Sequence, residues 1–447
     1  MTKRSSRRDF IKTSTLATAG ITMAGMGMSA KSYGKIIGSN DRMQVAIAGL
    51  GRRYKAFLGG IAHKESNVEL LYLCDVMDHQ LEKASKKCSD LFGYKSKLEK
   101  DVRKVIADKN VDALFIATPD HWHTPGALMA LEAGKHVYIE KPCSHNMFEN
   151  ELLIAAQQKY NKAIQMGNQQ RSAVHSIEII SQIHNGLIGD VYKAVAFYSN
   201  KRGEVPTPQK AAVPTGLDWD LFQGPSPRKE YTHDTWNYNW HWYGWDFGTA
   251  EMGNNATHEL DIARWALDVK YPEQVFVEAD KRHYKNDGWE MYDTMEATFK
   301  FENGKVITWD GKSRNAFNTY GAGRGTIIYG TEGTVWVDRE LYRIFDRKGK
   351  LVKEVLSATK ESGTALGGGG ETSTLHVRNF FDAARGKDKL TSPITQGAIS
   401  QAMTHYANIA YRIGKGFDID SHSGRIFDRD AMKLWGREYE KGWEPKL

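Results

Sequence analysis

Cysteine is nearly absent from this chain. Three occur in 447 residues, Cys74, Cys88 and Cys143, all in the first third. An odd number with no CxxC pair argues against a disulfide framework or a structural zinc. Proline is sparse, at 11, and with 11% aromatic residues the composition shows no sign of disorder. No long uninterrupted apolar run exists either. The nearest approach, Thr13 to Ala30, is diluted by Thr, Ser and Gly and does not make a permanent membrane span. A strong excess of one charge is also missing. The whole chain carries +7, but residues 1–30 hold five Lys/Arg and one Asp, which leaves the remainder at +3. The remaining basic residues are scattered among acids, a balance that excludes nucleic-acid binding.

What is present begins with a leader. Ser6-Arg7-Arg8-Asp9-Phe10-Ile11-Lys12 precedes the weakly apolar stretch, which closes on the small residues Ser29 and Ala30. A basic start, a modest apolar core and a small-residue end read as an export signal of the twin-arginine type. Residues 1–30 are therefore expected to be a signal peptide, with 31–42 a linker and the protein periplasmic. The rest has room for two or three domains with ample core.

The most informative stretch is Gln44 to Tyr54, QVAIAGLGRRY. Val45 to Ala48 read as a buried strand that feeds a tight turn and then a helix from near Arg52. Gly49 can adopt backbone angles closed to other residues, and Gly51 lets a pyrophosphate approach the main chain at a helix N-terminus. A second apolar run, VELLYLC, ends at Asp75, 24 positions after Gly51. That is near the spacing at which an acid reaches the adenosine ribose hydroxyls. Tyr54 occupies the third glycine position of this fingerprint. Gly49, Leu50, Gly51, Arg52, Arg53, Tyr54 and Asp75 are thus candidate dinucleotide contacts.

To about Gly167, strand candidates at 44–48, 68–74, 113–117, 136–139 and 163–166 alternate with helices such as 80–91 and 125–133. This alternation requires a doubly wound parallel sheet, with ligand at the strands' carboxyl ends. Those ends carry Thr118-Pro119-Asp120-His121-Trp122-His123 and Glu140-Lys141-Pro142. After Gly189 the runs VYKAVAFYS, DTMEATFKFENGKVITWDG and TIIYGTEGTVWVD alternate as strands with turn signals at Asn303-Gly304 and Glu332-Gly333.

ATPDHWH followed by EAGKHVYIEKP, downstream of GLGRRY, resembles the Gfo/Idh/MocA family of nicotinamide-dependent oxidoreductases, and GTEGTVWVD and HVRNFFDAARG extend the likeness into the second half. The resemblance implies an α/β chain with a Rossmann domain at 43–168, then an α+β domain at 169–447 on a large, mostly antiparallel open sheet. In the family that sheet's flat face commonly makes homo-oligomer contacts. It also implies that Lys141 contacts substrate and nicotinamide ribose, and that Thr118, Pro119, His121, His123, Glu140 and Asn168 lie along the cofactor. Asp75 favours NAD over NADP by repelling a 2′-phosphate, while the nearby Arg52 and Arg53 leave NADP open.

Oxidation at a sugar carbinol needs a base for the hydroxyl proton, for which Lys141 and His258 are the candidates. Many family members place an Asp four residues before this histidine, and this chain has Asn254 there. Glu251 can substitute from a shifted loop, or His258 acts without an acid partner. Asp261 is expected to orient His258 or pair with Arg264. His121 and His123 are spaced as metal ligands sometimes are, but no further ligands match, so no metal is expected. Asn168-Gln169-Gln170-Arg171 is either a sugar or cofactor contact or a solvent loop. In Trp236 to Phe247, WNYNWHWYGWDF, interleaved aromatic and polar groups suit carbohydrate, with core or subunit contact as the alternative; Trp245 is the substrate candidate here. Gly363 to Glu371 reads as a flexible loop.

Export adds a constraint. No pool of free nicotinamide cofactor exists outside the cytoplasm, so the chain is expected to hold NAD tightly and regenerate it within each cycle. A redox-neutral sugar oxidoreductase fits, as does an NAD-dependent glycosidase working by oxidation, elimination, water addition and reduction. GNNATH, one residue short, resembles the GNxxxTH loop of that glycosidase branch. A non-catalytic sugar-binding protein is the third possibility, favoured only by Asn254.

Overall fold

The computed structural model describes residues 41–357 and 370–447. The leader and most of the Gly363–Glu371 loop lie outside the described residues. The first sheet comprises β1 (Met43–Ala48), β2 (Val68–Cys74), β3 (Lys97–Glu99), β4 (Ala113–Ile116), β5 (His136–Ile139) and β6 (Ile164–Met166). Its order is β3-β2-β1-β4-β5-β6, parallel throughout. Helices α1 (Lys55–Ala62), α2 (Asp78–Phe92), α3 (Val102–Ala107), α4 (His123–Glu132) and α5 (Met147–Tyr160) connect the strands. Along β1, Val45 and Ile47 enter one core while Ala46 and Ala48 enter the other. Burial on both faces is why this strand reads as a continuous apolar run.

After α6 (Val174–His184) the chain builds β7 (Val191–Ser199), then α7 (Thr257–Leu267), β8 (Gln274–Asp280), β9 (Thr294–Lys300), β10 (Val306–Lys312), β11 (Arg324–Gly330), β12 (Gly333–Val337), β13 (Leu341–Asp346) and β14 (Leu351–Leu356). Helices α8 (Glu371–Ala384) and α9 (Ile394–Ile413) follow, then β15 (Phe417–Asp418). The second sheet runs β14-β13-β12-β11-β7-β10-β9-β8-β15, antiparallel except for β7 beside β10. This is the expected two-sheet α/β architecture. One sheet face packs on α7, whose Leu260, Ala263 and Leu267 are fully buried. The other exposes large side chains, among them Tyr192 and Phe276.

Several boundaries differ from the sequence expectation. The helix after the turn starts at Lys55 rather than Arg52, because Arg52 to Tyr54 complete the turn. Strand β3 was not expected at all, since its exposed Lys-Leu-Glu carries no apolar signal. A π-helical turn, Met252–Ala256, leads directly into α7 at Thr257.

The last helices do not stay with the second sheet. Val377, Phe380 and Phe381 of α8 pack on Phe57, Phe115 and Tyr138 beneath the Rossmann sheet. Helix α9 enters the opposite Rossmann core with Ile394 and Ala398, and the second-sheet core with Ala402, Met403 and Tyr406. Close packing of α1 on α8 depends on Gly59 and Gly60, where added Cβ atoms would lie 2.5 Å from Thr374 and Val377. Tyr54, at the absent third glycine, instead fills the core and is only 1% exposed.

Candidate functional site

The turn after β1 fits its expected role for separable reasons. Gly49 has φ +88°, and a Cβ there would lie 2.4 Å from the Ala117 carbonyl and 2.5 Å from the Thr118 nitrogen. Only glycine permits this approach of β1 to β4. Gly51 has the opposite surroundings: a Cβ would meet nothing within 4 Å. It opens onto the cleft. Asp75 accepts the Leu50 N–H at 2.7 Å and the Met77 N–H at 2.9 Å, which ties the end of β2 to the turn. Burial pushes the Asp75 carboxyl up to about 6 against these two bonds.

Both arginines of the turn engage groups other than Asp75. Arg53 Nε donates to Glu140 Oε1 at 2.7 Å, and the Arg52 guanidinium lies 4.4 Å from the Tyr238 ring centroid. The buried Thr118 hydroxyl and Arg53 Nη2 have no protein partner, and both residues line the same cleft. With the open cradle at Gly51, these unsatisfied groups fit a dinucleotide.

Glu140 and Lys141 leave β5 at the carboxyl edge. Glu140 accepts from Arg53 and from Gln169 Nε2, and Gly167 makes room for its carboxylate, which a Cβ would approach to 2.8 Å. Lys141 Nζ donates to the Asn254 carbonyl at 2.7 Å. Desolvation lowers the Lys141 amine to about 8, against the pull of Glu140 and Asp120. His258, at the start of α7, is buried, and burial together with the charges of Arg339 and Lys141 drives its pKa well below the ordinary value. It is a neutral imidazole at physiological pH.

The Asn254 side chain is tied to Glu251. Its Nδ2 donates to Glu251 Oε1 at 3.1 Å, and Asn255 Nδ2 donates to Glu251 Oε2 at 2.9 Å. Glu251 is buried and pairs with Arg202 Nε at 3.2 Å. It therefore stays behind the wall and holds the loop whose carbonyl receives Lys141. Arg202 packs over Trp242.

Among the other expected residues, Gly49, Gly51, Arg52, Arg53, Asp75, Thr118, Pro119, His123, Glu140, Lys141, Asn254 and His258 line one cleft. Leu50, Tyr54, His121, Asn168, Arg171, Trp245 and Asp261 are not among its lining residues. His121 lies in a 3₁₀ turn, with Nε2 on the Phe222 carbonyl at 2.8 Å and its ring against Phe247. His123 turns its two nitrogens toward the Pro142 and Thr118 carbonyls. Arg171 and Asp261 form a buried bidentate pair at 2.7 and 2.8 Å, and Ser400 donates to the same carboxylate. Burial alone would raise Asp261, but Arg171 holds it below the usual carboxylate range. Asp261 thus orients neither His258 nor, directly, Arg264, whose Nε bonds Ser400. Trp245 packs on Tyr411 and Arg412. Asn168 is buried, and its side-chain amide has no protein partner.

Residues the sequence reading did not select complete the wall. Trp236, Tyr238, Trp240 and His241 of the aromatic segment line the cleft, as do Arg202 and Arg339. The segment's composition was a usable signal. It has no regular period, however, so nothing local indicates which ring faces inward.

The fold and cleft define a dinucleotide-binding protein whose cleft also carries the Lys141 amine. Residues 43–168 match the model of the oxidoreductase family with an NAD-binding Rossmann fold, and residues 222–336 match the GFO/IDH/MocA C-terminal domain. The chain belongs to the Gfo/Idh/MocA family. It is 28% identical over 242 residues to a glycosyl hydrolase family 109 protein of Saccharopolyspora erythraea, covering 48% of this chain and 52% of that one. It is 23% identical over 272 residues to an alpha-N-acetylgalactosaminidase of Shewanella oneidensis, covering 57% and 53%. The chain thus spans about half the length of these curated relatives. Among solved structures, an aldose-aldose oxidoreductase from Caulobacter crescentus in complex with glycerol superimposes with TM-score 0.62 at 17% identity, over 85% of this chain and 100% of that one.

Proposed function

We propose that this chain oxidises a hydroxyl-bearing carbon of a sugar or sugar derivative on tightly held NAD, in a cycle that is redox-neutral overall. The observation that carries the reading is the Lys141 amine. It is held on the Asn254 carbonyl, beside a neutral His258, in the cleft that contains the dinucleotide turn. When bound, NAD supplies the hydride acceptor. Lys141, with its pKa lowered to about 8, takes the hydroxyl proton in its neutral form and returns it in the reverse half-cycle. His258 shares the chamber as a neutral hydrogen-bonding group that positions the hydroxyl, and Arg202, Tyr238 and His241 supply polar edges and flat faces for the ring.

A second reading, an NAD-dependent glycosidase, is favoured by the curated relatives. In it the same oxidation acidifies a neighbouring C–H, the aglycone is eliminated, water adds and the carbonyl is reduced. We further propose that residues 1–30 direct export by the twin-arginine route to the periplasm, and that the exposed face of the second sheet pairs copies of this chain. No described helix is long and apolar enough to cross a membrane.

The test is to denature purified protein and identify the released cofactor by spectrum and mass, then to incubate intact protein with aryl glycosides and free sugars without added cofactor. Retained NAD reduced by a free sugar supports the oxidoreductase, whereas aglycone release supports the glycosidase. Protein that is empty and active only with added NAD overturns the tightly held cofactor. Near-normal rates in both Lys141→Ala and His258→Ala would sink the site assignment.

A further inference from the structure

We propose that the segment 216–247 is itself part of the dinucleotide site: it roofs the adenosine half of the cleft and makes NAD a resident cofactor that is not exchanged between turnovers. This rests on NAD occupying the cleft, but not on which sugar is turned over there.

The roof is anchored beside the ribose acid. Immediately after Asp75, the Asp218 N–H donates to the Val76 carbonyl at 2.9 Å and the Asp78 N–H donates to the Gly216 carbonyl at 3.2 Å. Met77 and Leu217 pair between them as an antiparallel bridge. Gly216, at φ +87°, makes the approach possible, since a Cβ would already lie 3.0 Å from the Asp78 carboxylate. Lys100 braces the junction, with Nζ 3.0 Å from the Gly216 carbonyl and 2.8 Å from Asp78.

Apolar packing seals it. Met77, Leu217, Phe222, Tyr231 and Phe247 form a separate buried cluster, with Val76, Trp219, Trp236 and Trp240 against its edge. The cluster joins the loop that follows Asp75 to the aromatic segment. Midway, Trp122 Nε1 donates to the Leu221 and Phe222 carbonyls at 3.0 Å. At the far end Tyr238 carries the Arg52 guanidinium of the phosphate turn. The segment is therefore fastened at the ribose end, the middle and the phosphate end of the cleft.

Its inner side matches an adenine. Val76, Val102, Leu221, Phe222 and Trp236 face the cavity that also contains Asp75. Apolar and aromatic surfaces suit the faces of a purine, with the acid beside its ribose. Since Leu221, Phe222 and Trp236 come from the roof, release of the adenosine half requires the roof to lift. Differences in affinity from such enclosure fall mostly on the dissociation rate.

The experiment follows release of radiolabelled NAD from loaded protein into excess unlabelled NAD, alongside AMP and nicotinamide mononucleotide binding. Trp236→Ala removes a roof contact, and Leu217→Ala loosens the anchor without lining the cavity. Both are expected to release NAD at least about ten times faster than wild type and to weaken AMP, while nicotinamide mononucleotide binding is kept. Hydrogen exchange of wild-type protein provides a readout that does not depend on the variants folding: NAD is expected to slow exchange of the Asp218 and Asp78 amides. Wild-type protein that exchanges label as fast as the variants, or whose Asp218 and Asp78 amides are unaffected by NAD, overturns the proposal. Retained NAD without any sugar turnover would overturn the proposed reaction and leave the roof standing.

Discussion

The two ends of the cleft are built by opposite means. The phosphate turn and Asp75 come from one strand-turn-helix unit and the next strand, with main-chain bonds from Leu50 and Met77 holding the acid in place. The reaction end brings together Lys141 from the tip of β5, the Asn254 carbonyl from a π turn, His258 from α7 and Arg202 from beyond β7. The turn and its acid are positioned locally, whereas the reaction end depends on each of its distant supports.

The strongest way to test this contrast is at its chemical centre. Lys141→Ala is expected to lower turnover by about 10²–10⁴-fold, the range of a lost general base, with NAD still bound. Single-turnover kinetics on NAD-loaded protein check both halves of this statement. Next is the support behind the wall. Glu251→Ala leaves Arg202 without its carboxylate and frees Asn254, so stability should fall by about 3 kcal/mol. Denaturant unfolding measures this, and an unchanged midpoint would place the wall's rigidity elsewhere.

The turn offers a sharper pair. Gly49→Ala drives a Cβ into the backbone of Ala117 and is expected to cost roughly 2–5 kcal/mol of stability. Gly51→Ala meets nothing within 4 Å and should fold normally, yet weaken NAD by about tenfold, since the methyl occupies the phosphate cradle. Equal effects of the two on stability would end the distinction between structural and ligand-facing glycine.

The smallest effects are those of pH, and they separate the two ends again. At the reaction end the base form of Lys141 grows as pH rises, so kcat/KM should climb from pH 7 and level off above about 8. At the ribose end Asp75 is charged above about 6 and neutral below it. Its repulsion of a 2′-phosphate therefore weakens as pH falls, and the NADP-to-NAD affinity ratio should rise at pH 5 relative to pH 7.5, read by calorimetry. Because burial raises this carboxyl, the folded chain binds the proton more tightly than the unfolded one, so Asp75 costs stability as pH rises through about 4 to 6.

The strand-helix alternation before Gly167 was legible because buried parallel strands carry unbroken apolar runs, and only the exposed three-residue edge β3 escaped. Lys141 and His258 were legible through motifs. Arg202, Tyr238 and His241 were not, because the chain between β7 and α7 has little regular structure and gains its position from contacts with the loop after Asp75. Trp245, a reasonable choice from composition, faces Tyr411, while Trp236, nine residues earlier, faces the cleft.

By itself the sequence determined the two-sheet plan and the dinucleotide turn, because each depends on residues within a few positions or on a period of two or 3.6, while Lys141 was singled out by the resemblance of its Glu-Lys-Pro context to the family. Tertiary structure alone decided that Asp261 is tied to Arg171, that Glu251 serves as a brace for Asn254 and that the aromatic segment packs on the loop after Asp75. Those outcomes depend on charge pairing and burial between segments tens to hundreds of residues apart, and no local pattern encodes which partner a buried charge or ring will meet.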